Sequence, residues 1–253
     1  MKTIGRTMAS NMFSQAFTST RRSYDEGLRK YMLNIYTIMS VGLMISAIVA
    51  YGFISVPALA ELIFNIAPNG MLLGYTGLGY LILLAPLGIA MYFFFGIGRM
   101  SIEKAQMLFW VYAAVTGASL ASLGFIYTGA SIAKTFLITA GTFGSMSIYG
   151  YSTKRDLTSM ASFLRMGLFG IIIASAVNIF MHSTAVDFAV SFLGVFIFMG
   201  LTAWDTQRLK DMYYSVGGGE FAQKYAIVGA FTLYLDFLNL FLMMIRFFGD
   251  RRQ

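Results

Sequence analysis

Seven predominantly apolar stretches alternate with short polar segments along the chain, at roughly 31–53, 73–97, 105–127, 131–151, 161–181, 186–205 and 222–247. Each holds about 20 residues or more, enough to cross a ~30 Å hydrocarbon core at 1.5 Å per helical residue. The pattern predicts an all-α integral membrane protein with seven transmembrane helices. Pro86 lies mid-span in the second stretch and predicts a kink there. Pro57 and Pro68 belong to the first loop, where Ala58–Phe64 predicts a short surface turn. No clear internal repeat is visible, so an inverted-repeat transporter is not supported.

Composition agrees. The chain is 58% hydrophobic and only 11% charged, with a mean hydropathy of +0.71, whereas a soluble domain carries about 25% charged residues. With no cysteine, disulfides, zinc thiolate sites and cysteine nucleophiles are excluded, and one histidine, His182, cannot build a multi-histidine metal site. His182 falls on an outer loop and reads as a solvated or interfacial residue. The net charge of +7 resembles a nucleic-acid binder only in its sum, because the cations sit beside membrane segments, where they set topology. No nucleic-acid partner is expected.

The distribution of those cations orients the chain. With the N-terminus in the cytoplasm, fourteen of the 18 Lys and Arg residues lie inside, and Lys134, Arg246, Arg251 and Arg252 lie outside. The positive-inside rule therefore favours a cytoplasmic N-terminus. Three of the four outer cations cluster at the C-terminal tail. Either the tail crosses despite them, or the seventh segment does not fully cross; a central seventh helix buried by the other six is the favoured reading. The chain divides into a flexible basic cytoplasmic arm (1–30), a seven-helix membrane domain (31–249) and a short tail (250–253). The arm is rich in Arg, Ser and Thr with no acid before Asp25, which suits a bacterial inner-membrane protein or, as the alternative, a mitochondrial transit peptide.

Against this apolar background Asp236 stands out. It lies near the middle of the last stretch, and a carboxylate at a helix centre costs roughly 2.5–3.5 kcal/mol to insert, which makes it a candidate functional residue. Asp236, Asn239, Leu240, Met243 and Arg246 recur at helical spacing and share a face, either as a polar stripe along an ion path or as a structural network in which Asn239 supports the carboxylate. Tyr234 points elsewhere and reads as packing. Under the same topology the second span ends inside at Arg99 and the sixth ends inside at Asp205, so charge counting places one cation and two carboxylates toward one membrane face. Asp205 also has a plain reading as the opening of a cytoplasmic loop, paired with Arg208. Two carboxylates in a dry space cannot both ionise cheaply and titrate as a unit.

Small residues recur at Ala114, Ala118 and Ser122, and at Gly141, Gly144 and Ser147. Such ridges let helices approach closely in lipid, so packing is expected there in preference to a ligand groove. Gly217, Gly218 and Gly219 suggest a hinge or a plain linker between the last two spans.

Three runs carry a family resemblance: Gly150–Leu164 (GYSTKRDLTSMASFL), Gly200–Tyr213 (GLTAWDTQRLKDMY) and Leu233–Phe241 (LYLDFLNLF). They closely resemble the Bax inhibitor-1 (transmembrane Bax inhibitor motif) family, in its bacterial branch, and the likeness extends from about residue 28 to 249. The resemblance implies a seven-helix fold with the last helix surrounded by the other six, and a pH-sensitive calcium leak. It implies that Asp205 and Asp236 form the pH sensor, and that Arg99, aligned through Val115, Thr116 and Gly117, latches onto the first of them. Where the family often has several basic residues in a row, Arg99 is followed here by Met100 and Ser101. Lys154, Arg155 and Asp156 match a family loop signature, with no chemistry assigned to them.

Calcium takes six to eight hard oxygen ligands. The two aspartates, Asn239, backbone carbonyls and water supply a partial shell, suited to transient passage of calcium as a transported ion, with no resident cofactor. Three alternatives compete. A calcium/proton exchanger would use the same two acids. A regulator without transport would act on a membrane-bound ATP-dependent protease, as the bacterial relatives suggest, through the arm. An intramembrane aspartyl protease would need a Gly-x-Gly-Asp context, but Leu233, Tyr234 and Leu235 precede Asp236. The expectation is a non-enzyme whose partners are the bilayer, calcium and protons.

Overall fold

The computed structural model describes residues 2–68, 70–216 and 220–252, with side chains described for 26–68, 70–215 and 221–252. The chain is almost wholly helical. In order it forms α1 (Lys2–Ser55), α2 (Pro57–Ile63), β1 (Phe64–Ile66), β2 (Leu72–Tyr75), α3 (Gly77–Gly96), a 3₁₀ turn (Ile97–Arg99), α4 (Ile102–Leu120), α5 (Leu123–Ile126), α6 (Gly129–Ser152), α7 (Thr158–Met181), α8 (Thr184–Val216) and α9 (Glu220–Phe248). Gly217–Gly219, the suggested hinge, lie outside the described residues. The side chains of residues 1–25, on which the alternative protease-regulator reading falls, lie outside them too.

Among the described residues six helical segments are long and apolar enough to cross a membrane: Glu26–Ser55, Gly77–Arg99, Ile102–Ile126, Thr158–Met181, Thr184–Ser215 and Phe221–Phe248. The fourth expected span, now α6, is long enough, but its Gly, Ser and Thr content keeps it out of that set. Pro86 stays inside α3.

Two sequence expectations give way here. The first loop is not a bare surface turn. Antiparallel β1 and β2 pair Phe64 with Tyr75, and Ala60, Ile63 and Phe64 bury against Ala121 in a small second core. The front of the second apolar stretch is therefore strand, and the helix starts at Gly77, capped by the Thr76 side chain accepting from the Gly79 N–H. The sixth span does not end at Asp205 either. Helix α8 runs on to Val216, about three further turns, so Asp205 sits within a helix and not at a loop.

The last helix is the packing centre. Most of its apolar stretch is buried, whereas α3 and α7 bury very little. It packs on α1, α4, α6 and α8, while α3 leans mainly on α4, and α7 on α8. One face carries Phe231 and Tyr234, wedged among Phe93, Phe109 and Tyr112. Another carries Phe237 edge-on to Phe136 and Phe143. A third turns Asp236 toward α8. Tyr234, read from sequence as packing, is fully buried but also polar in its role. Its hydroxyl lies 2.6 Å from Ser46 Oγ of α1, and that serine lies 2.7 Å from the Ala113 carbonyl of α4. Here α1 and α4 approach so closely that any Cβ on Gly117 would collide with the Ser46 backbone.

Of the small residues expected to pack on this side, Ala118 and Ser122 are buried and Ala114 is half-buried. On α6 Ser147 is buried, but a Cβ on Gly141 or Gly144 would meet nothing within 4 Å. The close helix contact of α6 lies instead at Gly150, against the Ala203 carbonyl of α8.

The tail is tied down. The Thr128 N–H donates to the Asp250 carbonyl (3.0 Å) and the Arg252 N–H to the Ile126 carbonyl (2.9 Å). Both ends of α6 are therefore fixed, because at its other end Lys210 of α8 donates to the Tyr151 carbonyl (2.8 Å). The tail lies at the end of the bundle opposite Arg99. Arg246 is nearby and pairs with Asp187, at the start of α8, at 3.0 Å.

Candidate functional site

At the seam of α8 and α9 the carboxyl groups of Asp205 and Asp236 come within hydrogen-bonding reach of one another. Each residue is only 6% exposed. Asp236 Oδ2 is buried with no hydrogen-bond partner among the described residues. Neither ionised carboxylate has a proton to donate, so a bond between the two groups needs one proton on the pair. Buried polar groups left unpaired are uncommon and cluster where a structure switches or binds.

The cations around the pair differ from expectation. Arg208, one turn beyond Asp205 on the same helix, lies 3.9 Å from its carboxylate with 54% of its side chain exposed. Arg165 of α7 and Arg208 both stack on Trp204, at 4.9 and 5.3 Å from the ring centre. Arg99 is exposed in the 3₁₀ turn and makes no ion pair among the described residues. It is not a latch in this conformation.

Geometry explains why. The turn holding Arg99 abuts α9 on its Phe231 side, where Lys224 donates to the Gly98 carbonyl (3.3 Å). Asp236 is five residues from Phe231 and two from Tyr234, which at about 100° per residue turns it some 140–200° away. The Arg99 turn and Asp236 therefore lie on different sides of α9. Asn239 also falls outside the pair: its amide donates to the Leu235 carbonyl of its own helix (2.8 Å) and does not support Asp236. Arg246, assigned to the same stripe, is committed to Asp187.

Sequence reasoning missed Gln207. Its Oε1 accepts from the Leu157 N–H (2.9 Å) and its Nε2 donates to the Arg155 carbonyl (2.7 Å). A single buried amide, two residues after Asp205, thereby holds the basic loop between α6 and α7 in place. Asp156 in that loop accepts from the Thr158 N–H (2.9 Å). The Thr158 hydroxyl, followed by that N–H, holds the Asp156 carboxyl below the usual carboxylate range. The family loop signature and the run around Asp205 are thus one structural unit. Their spacing in sequence gave no sign of it. His182 caps α7 in the left-handed conformation, exposed as expected.

Among the described residues no cluster of three or more Asp, Glu or His side chains could hold a metal. Asp205 and Asp236 are two carboxyls, one short of such a cluster, and the other α8–α9 ion pair, Asp187 with Arg246, lies at the start of α8.

Known proteins place this arrangement in context. The sequence model described as "Inhibitor of apoptosis-promoting Bax1" matches residues 28–253. An uncharacterized protein of Rickettsia prowazekii is 54% identical over 236 residues, which cover 93% of this chain and 96% of that one. An uncharacterized protein of Caulobacter vibrioides is 45% identical, covering 91% and 92%. The inner membrane protein YbhL of Escherichia coli K12 is 44% identical, covering 89% and 94%. With its six apolar spanning helices and these relatives, the chain is an integral protein of the bacterial inner membrane. A match spanning all three motif runs, and identities this high along nearly full lengths, make it a bacterial-type member of the Bax inhibitor-1 family.

Proposed function

We propose that this protein is a proton-regulated calcium leak pathway in which Asp205 and Asp236 are the sensor. The observation that carries this reading is the contact of two buried carboxyls on neighbouring helices. A proton on the pair holds α8 to α9; its loss leaves two like charges in a dry seam, which repel or draw in a cation. Calcium then meets hard oxygen ligands too few for stable retention, a condition for passage and not storage.

Transport across the whole membrane needs a continuous bundle, and we assign α6 as a seventh span. At 24 residues it is about 36 Å long. Its hydroxyls explain its modest hydropathy without forbidding insertion. Those of Thr139, Thr142, Ser145 and Ser152 donate to carbonyls one turn back in the same helix, while Leu137 and Ile148 face outward.

The nearest cation to the sensor is Arg208, and it takes the latch role that family likeness gave to Arg99. The test is calcium flux into liposomes holding the purified full-length protein, followed from neutral to acid pH. Asp236→Asn is expected to remove most of the pH dependence and Asp205→Asn at least part of it; unchanged profiles in both would sink the sensor. Arg208→Gln is expected to raise the resting leak while Arg99→Ala leaves it near wild type. The reverse ranking returns the latch to Arg99. Obligatory proton counterflow in the same vesicles would identify an exchanger in place of a leak.

A further inference from the structure

A groove of about 1000 Å³ runs between α1 and α6, with Phe237 of α9 at its base. Its volume is at the upper end for sites that bury a small ligand. Its walls are the apolar faces of membrane helices, among them Met32, Leu43 and Met44, so it opens toward lipid. Gly144 lies in it with no neighbour within 4 Å of where a Cβ would stand. A glycine that admits no partner helix and packs on no side chain leaves room for something that is not part of this chain.

One end of the groove differs from the rest. Arg29, exposed and without an ion pair among the described residues, stands at the cytoplasmic end beside Tyr151 and Ser152. From there the lining reaches Ala47 on α1 and Phe136 on α6, a run of about 24–27 Å at helical rise. One leaflet is about 15 Å deep, so the groove accepts an acyl chain over its full length. Ser147 adds a second polar signal: it lines the groove, is 5% exposed, and its hydroxyl has no hydrogen-bond partner.

We propose that this groove is a binding site for an anionic phospholipid of the cytoplasmic leaflet. One acyl chain lies along Gly144 toward Phe136, and the headgroup phosphate pairs with Arg29. Basic pockets between membrane helices on the cytoplasmic side recognise phospholipid headgroups by this charge complementarity. The base of the groove, Phe237, is the chain neighbour of Asp236, so an occupant lies one side chain from the carboxyl seam. The site does not depend on the calcium reading and is tested without flux.

The experiment measures lipid retained by full-length protein after detergent washing of membranes containing phosphatidylglycerol and phosphatidylcholine. Wild type is expected to retain phosphatidylglycerol preferentially. Arg29→Gln should lower that preference about five-fold, the equivalent of roughly 1 kcal/mol for one cation at the surface. Gly144→Leu, which fills the groove, should abolish retention, whereas Gly141→Leu on the open face of the same helix should not. Equal retention of the two lipids by wild type, or by Gly144→Leu and Gly141→Leu, overturns the proposal. A readout free of folding effects uses wild type and a phosphatidylglycerol with a photoreactive group in its chain. Cross-links concentrated on the α1 and α6 residues of the groove support the site. Cross-links spread evenly over α3 and α7, or capture of a second polypeptide in the groove, refute it.

Discussion

The hydroxyl of Tyr234 and the Oγ of Ser46 lie 2.6 Å apart at the point where α1, α4 and α9 meet. Ser46 Oγ also lies 2.7 Å from the Ala113 carbonyl and 3.0 Å from the Gly42 carbonyl, both of which only accept; with the single serine proton on one of them, the phenol is the donor in the shared bond. The two partners are therefore not equivalent. Tyr234→Phe removes one donor and is expected to cost about 0.5–1.5 kcal/mol. Ser46→Ala leaves a buried phenol short of its acceptor and is expected to cost about 1–3 kcal/mol. Unfolding in mixed micelles measures both; a larger loss for Tyr234→Phe would reverse the donor assignment.

Gln207 makes its two bonds to the backbone of the α6–α7 loop. Gln207→Ala is expected to release Leu157 and Arg155, costing about 2 kcal/mol for two hydrogen bonds. Trypsin added to inside-out vesicles should then cut after Lys154 or Arg155 several times faster than in wild type. An unchanged cleavage rate would mean the loop is held by something other than this amide.

Gly150 and Gly144 sit on one helix and should respond oppositely to the same change. A methyl at Gly150 collides with the Ala203 carbonyl, and such overpacking costs typically about 1–3 kcal/mol. A methyl at Gly144 meets open space and removes a flexible residue from a helix, a gain of roughly 0.5–1 kcal/mol. Comparable thermal stabilities for the two alanine variants would contradict the close approach of α6 and α8.

Arg246 and Asp187 form an ion pair in which both side chains are more than a third exposed. Exposed pairs contribute about 0–1 kcal/mol and are screened by salt. A double-mutant cycle with Arg246→Ala and Asp187→Ala is expected to return a coupling energy inside that range, falling as salt rises. A coupling of several kcal/mol would place the pair in a far less solvated setting.

Asp156 provides a pH test outside the bundle. Its carboxyl is held below the usual range by Thr158. The sign follows from linkage: a depressed folded-state value adds stability above the unfolded value, and that stability is lost as pH falls through the folded one. Amide protection at the first turn of α7, corrected for the intrinsic pH dependence of exchange, should therefore be flat near neutrality and fall under acid conditions, below about pH 4. Asp156→Asn should flatten that fall.

Much of the fold was legible in the chain because apolar run length and cation placement act locally. The depth of Asp236 follows from its position in an apolar stretch, and the contact with Asp205 agrees with expectation. The failures share one physical origin. Charge counting fixes which end of the bundle a residue occupies but says nothing about its angle around a helix. Arg99 and Asp236 could thus be assigned to one path although they lie on different sides of α9. The polar run from Asp205 to Lys210 reads as a loop because its partners, Tyr151, Arg155 and Leu157, lie some fifty residues earlier. Likewise Leu72–Tyr75 is as apolar as a span start, and only its pairing with Phe64–Ile66 makes it a strand. Gly144 and Gly150 look alike as letters, and what surrounds them decides between a contact and a gap.

The central place of α9 bears on how the protein is made. It follows every other spanning helix in the chain, so the ribosome inserts those helices before the one that fills their middle exists. Until then Phe109 and Tyr112 have no ring of α9 to pack against, and Asp205 has no second carboxyl. The contacts that join α1, α4, α6 and α8 through α9 form only once α9 enters, when the segment after it also pairs with the loop at Tyr127.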